Sequence, residues 1–170
     1  DFSFVQERDL DSCVVVHPCT RWQRKSWNPE HWSRLCRELA AKGERVVLSS
    51  GPDAQEIELC EQIQSGSGEQ LVLTKGTLSW AGMAGLLYSA KMFVGVDTAA
   101  MHLSAACQTP IVALFGPTLE HAWRPWSCPH ELVLPDRATP APALPSSVVP
   151  DTSRPIRLPC TTVPLASTSV

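Results

Sequence analysis

The octapeptide GVDTAAMH, residues 95–102, combines residue types that bind a phosphate group. It follows an apolar run and opens a predicted helix, so its first backbone N–H groups have no partner inside the helix. The small side chains of Ala99 and Ala100 let an anion approach these groups, and the positive end of the helix dipole attracts it. The segment therefore predicts a phosphate site at the start of a helix beside Thr98.

Two less specific interpretations of the same segment stay open. Asp97 can be a simple N-cap of the helix. His102 lies one turn after Thr98, on the same helix face, and a single helical histidine is more often a packing residue than a functional one. The spacing alone does not decide between these alternatives and a ligand site.

A second polar segment, HPCTRWQRKSW (17–27), follows the first predicted strand. Thr20, Arg21, Arg24 and Lys25 place three cations and a hydroxyl in one loop of an acidic chain, which favours an anionic ligand. Lys25 precedes a helix start and can reach a diphosphate as a point charge. The alternative is an ordinary solvated surface loop.

Further polar residues follow three other predicted strands. Asp53 in SSGPD can accept hydrogen bonds from ribose hydroxyls, or it can cap the following helix. Leu78 or Trp80 in KGTLSW can form an apolar wall for a base. In FGPTLEHAWRPWS, Arg124 can contact a sugar or a phosphate.

The elements that must position these residues alternate between strands and helices. Apolar, strand-like runs occur at 13–17, 45–51, 70–76, 92–96, 111–116 and 131–134, and helical patterns at 29–42, 53–63, 79–90 and 98–106. Asn28 before Pro29 and Ser79 are the predicted N-caps of the first and third of these helices. Strands that are apolar throughout and separated by helices predict a parallel sheet covered on both faces. We therefore expect an α/β fold, Rossmann-like, whose site lies at the carboxyl ends of the strands.

Composition excludes several classes of protein. The 170 residues are 44% hydrophobic and carry a formal net charge of −3, so nothing favours nucleic acid as a partner. No apolar run is long enough to span a membrane, and no signal pattern opens the chain. The seven cysteines are scattered, which argues against a zinc site or a disulfide framework and fits a reducing cytoplasm.

Three regions are expected along the chain. Residues 1–12 read as a linker from a missing N-terminal domain, and residues 13–134 as the ligand-binding domain. Residues 135–170 hold eight of the fifteen prolines, ten Ser or Thr and no aromatic residue, which predicts a disordered or non-native tail.

The motifs together resemble a known family. HPCTRWQRKSWNPEHW, LSSGPD, FVGVDTAAMHLSAACQTPIVALFGPT and WRPWS are similar to the donor-binding half of the lipopolysaccharide core heptosyltransferases, which form glycosyltransferase family 9. WRPWS is most like the heptosyltransferase III branch. The resemblance implies the C-terminal half of a GT-B fold.

The resemblance also implies an activity. It is transfer of heptose from ADP-L-glycero-D-manno-heptose to the lipopolysaccharide inner core, with inversion and without a metal or other cofactor. The partners implied are the nucleotide-sugar donor and a lipid-linked core oligosaccharide acceptor. The implied location is the cytoplasm, with possible peripheral association at the inner face of the inner membrane.

Residue roles follow from the same resemblance. Lys25 and Asp97 are the implied catalytic residues of this half, and the catalytic base belongs to the N-terminal domain. The implied donor-binding residues are Thr20, Lys25, Asp53, Leu78, Asp97, Thr98, Ala99, Ala100 and His102. Among them, Lys25 and Thr20 are implied to hold the donor phosphates and sugar, and Asp97 to contact the donor sugar. Asp53 is implied to bind the ribose, at a position where the family often has a glutamate.

Two other functions stay open. Because no acceptor domain is recognisable, the chain can be a catalytically inert ADP-binding or nucleotide-binding module left by truncation. A dinucleotide-dependent oxidoreductase is the second alternative, although the chain lacks GxGxxG after its first strand. A preference for ADP-sugar over NAD would separate these classes.

Overall fold

The structure is a computed structural model and describes residues 1–135 of the chain. The predicted tail lies outside the described residues except for Pro135, so its disorder stays a prediction.

Six parallel strands form one sheet. They are β1 (Val14–His17), β2 (Val46–Leu48), β3 (Val72–Leu73), β4 (Met92–Val96), β5 (Ile111–Leu114) and β6 (His130–Val133). The order across the sheet is β3-β2-β1-β4-β5-β6, and every neighbouring pair is parallel. This is the doubly wound order of a Rossmann-like domain, and it confirms the predicted fold class.

The helices begin and end at residues with identifiable physical roles. They are α1 (Ser3–Gln6), α2 (Pro29–Ala41), α3 (Ala54–Ser67), α4 (Trp80–Ser89), α5 (Ala99–Ala106) and α6 (Glu120–Trp123), with a 3-10 turn at Gln23–Lys25. Asn28, Asp53 and Ser79 cap α2, α3 and α4, because each side chain accepts a hydrogen bond from a backbone N–H in the first turn. The caps at Asn28 and Ser79 confirm the prediction from sequence.

Apolar side chains cover both faces of the sheet. Val15 and Phe93 point to one face, where residues of α4 and α5 such as Leu86 and Met101 pack on them. Val16 points to the other face, as does Val94 beside it in the register. There Trp32 of α2 and Ile63 of α3 complete a second core. Since successive strand residues alternate between faces, this placement explains why the strands are apolar throughout.

Several elements differ in length from the prediction. Strand β2 covers Val46–Leu48 and not 45–51, and β5 ends at Leu114 and not at residue 116. Helix α3 continues to Ser67 and stops at Gly68, which takes the left-handed conformation (φ 71°) that glycine allows. Strand β3 is only two residues long, because Lys75 and Gly76 both have positive φ and turn the chain directly after Thr74.

The first twelve residues pack against the domain. They contain α1, and they bury Phe4, Val5 and Leu10 in the core beside α4. Their predicted role as a connection to an upstream domain is untested and stays a prediction.

Candidate functional site

The first and fourth strands lie side by side at the centre of the sheet, and their loops meet at its carboxyl edge. Sheets of this order bind ligands at this point, because the chain leaves β1 and β4 in opposite directions and opens a crevice. The loop after β1 carries Lys25, and β4 leads directly into Asp97 and α5.

An ion pair joins the two loops. Lys25 Nζ lies 2.8 Å from Asp97 Oδ2 and also donates to the Asp97 backbone oxygen at 3.1 Å. The Asp97 side chain is 3% exposed and that of Lys25 is 17% exposed. The carboxylate is therefore buried with a cation beside it, which is the condition under which a charge is tolerated inside a protein.

The interpretation of Asp97 as an N-cap is wrong. The N-cap of α5 is Thr98, and no side-chain hydrogen bond caps this helix. Asp97 directs its carboxylate to Lys25 instead, on a loop 72 positions earlier.

Thr118 completes the surroundings of Asp97, and the sequence reasoning assigned it no role. Its hydroxyl donates to Asp97 Oδ2 at 2.9 Å, so this oxygen accepts two hydrogen bonds. The sequence did contain a signal for this role. Thr118 is a hydroxyl residue directly after Gly116 and Pro117, in the loop that follows β5, and β5 lies next to β4.

The start of α5 offers free backbone donors. The N–H groups of Ala99, Ala100 and Met101 fall in the first turn, where no residue of the helix can pair with them. Thr98 turns its hydroxyl back to the oxygen of Val96 at 3.4 Å and leaves these groups uncapped. They are suited to an anion.

His102 lies on the exposed side of the same cluster. Its Nε2 is 3.9 Å from Asp97 Oδ1, and its ring meets the edge of the Trp123 ring with centroids 6.3 Å apart. The histidine is thus beside the ion pair and not in the core, contrary to the packing interpretation.

A glycine allows the loop after β5 to close on the loop after β1. A Cβ atom on Gly116 would lie 2.9 Å from the backbone oxygen of Arg24 and 3.3 Å from Lys25 Cα. Only glycine fits at position 116, because the segment that carries Lys25 packs directly against its backbone.

Asp53 and Leu78 lie on the β2–β3 side of the crevice. Asp53 is exposed and caps α3 through a hydrogen bond from Gln55 N to its Oδ1 at 2.8 Å. Leu78 is half-buried and lines a cavity of about 290 Å³ with residues of the N-terminal segment. The loop after β2 and the loop after β3 are in contact, because a Cβ atom on Gly76 would clash with the backbone oxygen of Gly51. In the described residues, no hydrogen bond or ion pair joins Asp53 to Lys25 or Asp97.

The loop after β1 begins with a histidine that joins it to β2. His17 Nδ1 lies 2.9 Å from Ser49 Oγ, and desolvation in this partly buried position lowers the pKa of His17 to about 4. Thr20 follows, and its hydroxyl accepts a hydrogen bond from Trp22 N at 3.2 Å. That contact shapes the turn that leads to Lys25.

Cys19, in the loop after β1, and Cys60 lie close together, with their Sγ atoms 3.9 Å apart. Within residues 1–135, no cluster of three or more His, Cys, Asp or Glu side chains is placed to hold a metal ion. The six cysteines in that range are free thiols, and Cys160 lies outside it. A helix long and apolar enough to cross a membrane is likewise not found in the described part of the chain.

Comparison with known sequences decides the family. The sequence model of glycosyltransferase family 9 (heptosyltransferase) matches residues 4–144, which is most of the chain. The chain belongs to glycosyltransferase family 9. This result also decides against the oxidoreductase alternative. The matched range begins before and ends after the predicted ligand-binding domain of residues 13–134.

Two curated relatives carry the same family name. This family 9 chain is 36% identical over 115 residues to lipopolysaccharide heptosyltransferase 3 of Escherichia coli, covering 67% of the chain and 34% of the relative. It is 38% identical over 105 residues to lipopolysaccharide heptosyltransferase 1 of Pseudomonas aeruginosa, covering 62% of the chain and 28% of the relative. The chain thus spans about a third of the length of these relatives.

Solved structures show the same fold. The E. coli heptosyltransferase WaaC with ADP matches with a TM-score of 0.68 at 31% identity, over 75% of this chain and 39% of that one. WaaC with ADP-2-deoxy-2-fluoro heptose matches with a TM-score of 0.64 at 30% identity, over 78% and 42%. The described domain therefore corresponds to one part of each of these longer solved chains.

Proposed function

We propose that this chain binds ADP-L-glycero-D-manno-heptose and supplies the donor-binding half of an enzyme that transfers heptose to the lipopolysaccharide inner core. Family membership supports transfer of a glycosyl group. Two observations support the donor: the solved WaaC structures hold ADP and an ADP-heptose analogue, and the crevice of this chain has groups suited to a diphosphate.

The observation that carries the proposal is that the loop after β1 places Lys25 beside Asp97, just before the start of α5. An ammonium group has three N–H donors, and the two contacts to Asp97 use two of them. The third remains for a phosphate oxygen, next to the uncapped N–H groups of Ala99 and Ala100. A charge-assisted hydrogen bond of this kind contributes roughly 1.5–3 kcal/mol.

The same groups can stabilise the leaving group. An acceptor hydroxyl, losing its proton to the base assigned to the upstream domain, forms a bond to the sugar C1 while the bond between C1 and the phosphate oxygen breaks. Negative charge then develops on the β-phosphate of ADP, the leaving group. Lys25 and the amides of α5 are already aimed at that charge, and preorganised donors of this kind are usually the largest catalytic contribution. Inversion without a metal ion is part of this proposal, since these donors take the place of a divalent cation.

Asp97 acts in the proposal by fixing Lys25. Its carboxylate is nearly inaccessible and is held by Lys25 and Thr118, so it positions the ammonium group and offers only Oδ1, beside His102, toward a ligand. Direct contact of Asp97 with the donor sugar stays a prediction.

The nucleoside is assigned to the β2–β3 side of the crevice. Asp53 has a second carboxylate oxygen free of the helix cap and is exposed, so it can accept ribose hydroxyl hydrogen bonds while still capping α3. Leu78 is proposed as the apolar wall for adenine, and Thr20 as a further contact to the donor phosphates and sugar.

The acceptor and the catalytic base are assigned to an upstream domain, as in the larger relatives of which this chain covers about a third. The proposed acceptor is a lipid-linked core oligosaccharide. The proposed location is the cytoplasm, at the inner face of the inner membrane.

Calorimetric titration of the 170-residue chain with ADP, ADP-heptose and NAD tests the donor assignment. We expect ADP and ADP-heptose to bind with a Kd at or below about 1 mM, which corresponds to about −4 kcal/mol, and NAD to bind much more weakly. Lys25→Ala should abolish ADP binding. Lys91→Ala is the control, because it also removes one lysine charge but lies just before β4, at the amino ends of the strands, where Lys91 pairs with Glu44. This variant should bind ADP like the wild type.

A Lys25→Ala variant that is folded and binds ADP as well as the wild type would overturn the role of Lys25. If the wild-type chain binds none of the three nucleotides, the donor assignment itself is wrong for this chain. If ADP binds and ADP-heptose binds no more tightly than ADP, the nucleotide-binding module is the correct description.

A further inference from the structure

Trp123 is exposed to solvent at the edge of the candidate site. It ends the short helix α6, which follows β5, and 54% of its surface is accessible. A single exposed indole is ordinary on a protein surface, so the feature that distinguishes Trp123 is the contact of its ring with His102.

Contacts connect Trp123 to the ion pair. The ring meets the edge of His102 at 6.3 Å, and His102 Nε2 is 3.9 Å from Asp97 Oδ1. The opposite oxygen of Asp97 binds Lys25. Trp123 is thus connected to Asp97 through His102, which approaches Oδ1, while Lys25 binds Oδ2.

The sheet order gives the direction in which a nucleotide sugar would lie. Leu78 follows β3, Asp53 follows β2, the start of α5 follows β4, and Trp123 follows β5. On the proposed function, on which this inference rests, the base and ribose lie on the β2–β3 side and the diphosphate lies at α5. A roughly extended ligand then continues past α5 toward β5 and reaches Trp123 with its sugar.

We infer that Trp123 is the platform on which the sugar ring of the donor packs, and so a specificity-determining residue of this site. A pyranose ring presents C–H groups on its faces and hydroxyls at its rim. The indole supplies a flat apolar surface for the C–H groups, while His102 and Asp97 Oδ1 lie where rim hydroxyls need polar partners.

Trp126 provides a matched control on the same loop. It is 84% exposed, and within the part of the chain that the structure describes its ring contacts no other aromatic ring and no cation. Trp126→Ala therefore removes an equally large exposed indole and leaves the contacts among Lys25, Asp97, His102 and Trp123 in place.

The test compares ADP with ADP-heptose in each variant by calorimetry. Trp123→Ala should weaken ADP-heptose binding about five- to tenfold and leave ADP binding within about twofold of the wild type, since the platform contacts only the sugar. Trp123→Phe should bind ADP-heptose nearly as tightly as the wild type, because its phenyl ring still gives the sugar an aromatic face. Trp126→Ala should bind both ligands like the wild type. Thermal unfolding of each variant checks that the domain is intact.

The outcomes separate this inference from the proposed function. If the wild type binds ADP and ADP-heptose but Trp123→Ala binds ADP-heptose normally, the platform is wrong while the donor assignment stands. If Trp123→Ala weakens ADP and ADP-heptose equally, the indole contacts the nucleotide and not the sugar, which also overturns the inference. If the wild type binds neither ligand, the proposed function is wrong, and the inference that rests on it is wrong as well.

Discussion

Lys25 Nζ and Asp97 Oδ2 lie 2.8 Å apart although 72 positions separate the two residues in the chain. The contact joins the loop after β1 to the loop after β4, which are neighbours only because β1 and β4 pair at the centre of the sheet. The candidate site is therefore a product of strand order, and its ion pair also ties two loops of the fold together.

Breaking the pair should be costly for stability. Lys25→Met leaves the buried Asp97 carboxylate without its cation, and we expect the free energy of unfolding to fall by about 2–3 kcal/mol. Asp97→Asn combined with Lys25→Met should cost less than the sum of the two single changes, with an interaction energy of about 1–2 kcal/mol. Urea unfolding of the four proteins measures it.

An exposed pair serves as the control for this cycle. Arg34 and Glu38 are 2.8 Å apart on the surface of α2, with side chains 76% and 58% exposed. The same double-mutant cycle there should give a much smaller interaction energy than the central pair, because water screens two exposed charges. Additive effects at Lys25 and Asp97 would show that the central pair contributes no more than a surface pair.

Thr118 should stabilise Asp97 through its hydroxyl. Thr118→Val keeps the shape but removes the donor to Asp97 Oδ2, and we expect a loss of about 1.5 kcal/mol in unfolding free energy together with weaker ADP binding. Thr118→Ser retains the hydroxyl and should keep most of both properties. An equal loss in Thr118→Ser would mean that the methyl group matters and the hydrogen bond does not.

Gly116 should be intolerant of any side chain. A Cβ would lie 2.9 Å from the Arg24 backbone oxygen, so Gly116→Ala must displace the segment that carries Lys25 and reduce ADP affinity several-fold. Gly82→Ala is the comparison, because its Cβ would meet nothing closer than Leu78 Cδ2 at 3.4 Å, in a helix that alanine favours. Calorimetric titration with ADP distinguishes them, and unchanged affinity in Gly116→Ala would contradict the close contact.

His17 should make the domain sensitive to mild acid. Its pKa is lowered to about 4 in the folded chain and is about 6.5 in the unfolded chain, so between these values only the unfolded state takes up the proton. The contribution of His17 is therefore fully present above about pH 6.5 and is lost as the pH falls toward 4, by about 3 kcal/mol in total. Below about pH 4 both states are protonated and the loss stops.

Comparison with His17→Gln isolates this group from the carboxylates. The difference in unfolding free energy between the two proteins should change with pH between 6.5 and 4 and be constant outside that range. A difference that does not vary with pH would show that His17 is protonated equally in both states.

Local signals in the sequence predicted much of the fold. Asn28 before Pro29 marked the start of α2, and Ser79 marked that of α4, because capping depends on residues within one turn. The apolar run 92–96 coincides with β4, since a strand buried on both faces excludes polar residues.

The contacts that make the site are not local and could be predicted only in part. A polar residue at a strand end was visible in the sequence, but the partner of Asp97 depends on which strands pair, so a cap was an equally good interpretation. Thr118 and Trp123 follow β5, and their approach to Asp97 and His102 depends on β5 lying beside β4. The short β3 was missed because its length is set by the turn at Lys75 and Gly76 and not by hydrophobicity.

The most direct test of the central claim is an NMR titration of the ¹⁵N-labelled chain with ADP. If the diphosphate binds at the start of α5, the amide signals of Ala99 and Ala100 should show the largest shifts, and Lys25→Ala should abolish those shifts while Lys91→Ala preserves them. Shifts confined to other parts of the domain, with Ala99 and Ala100 unmoved at saturating ADP, would contradict the account.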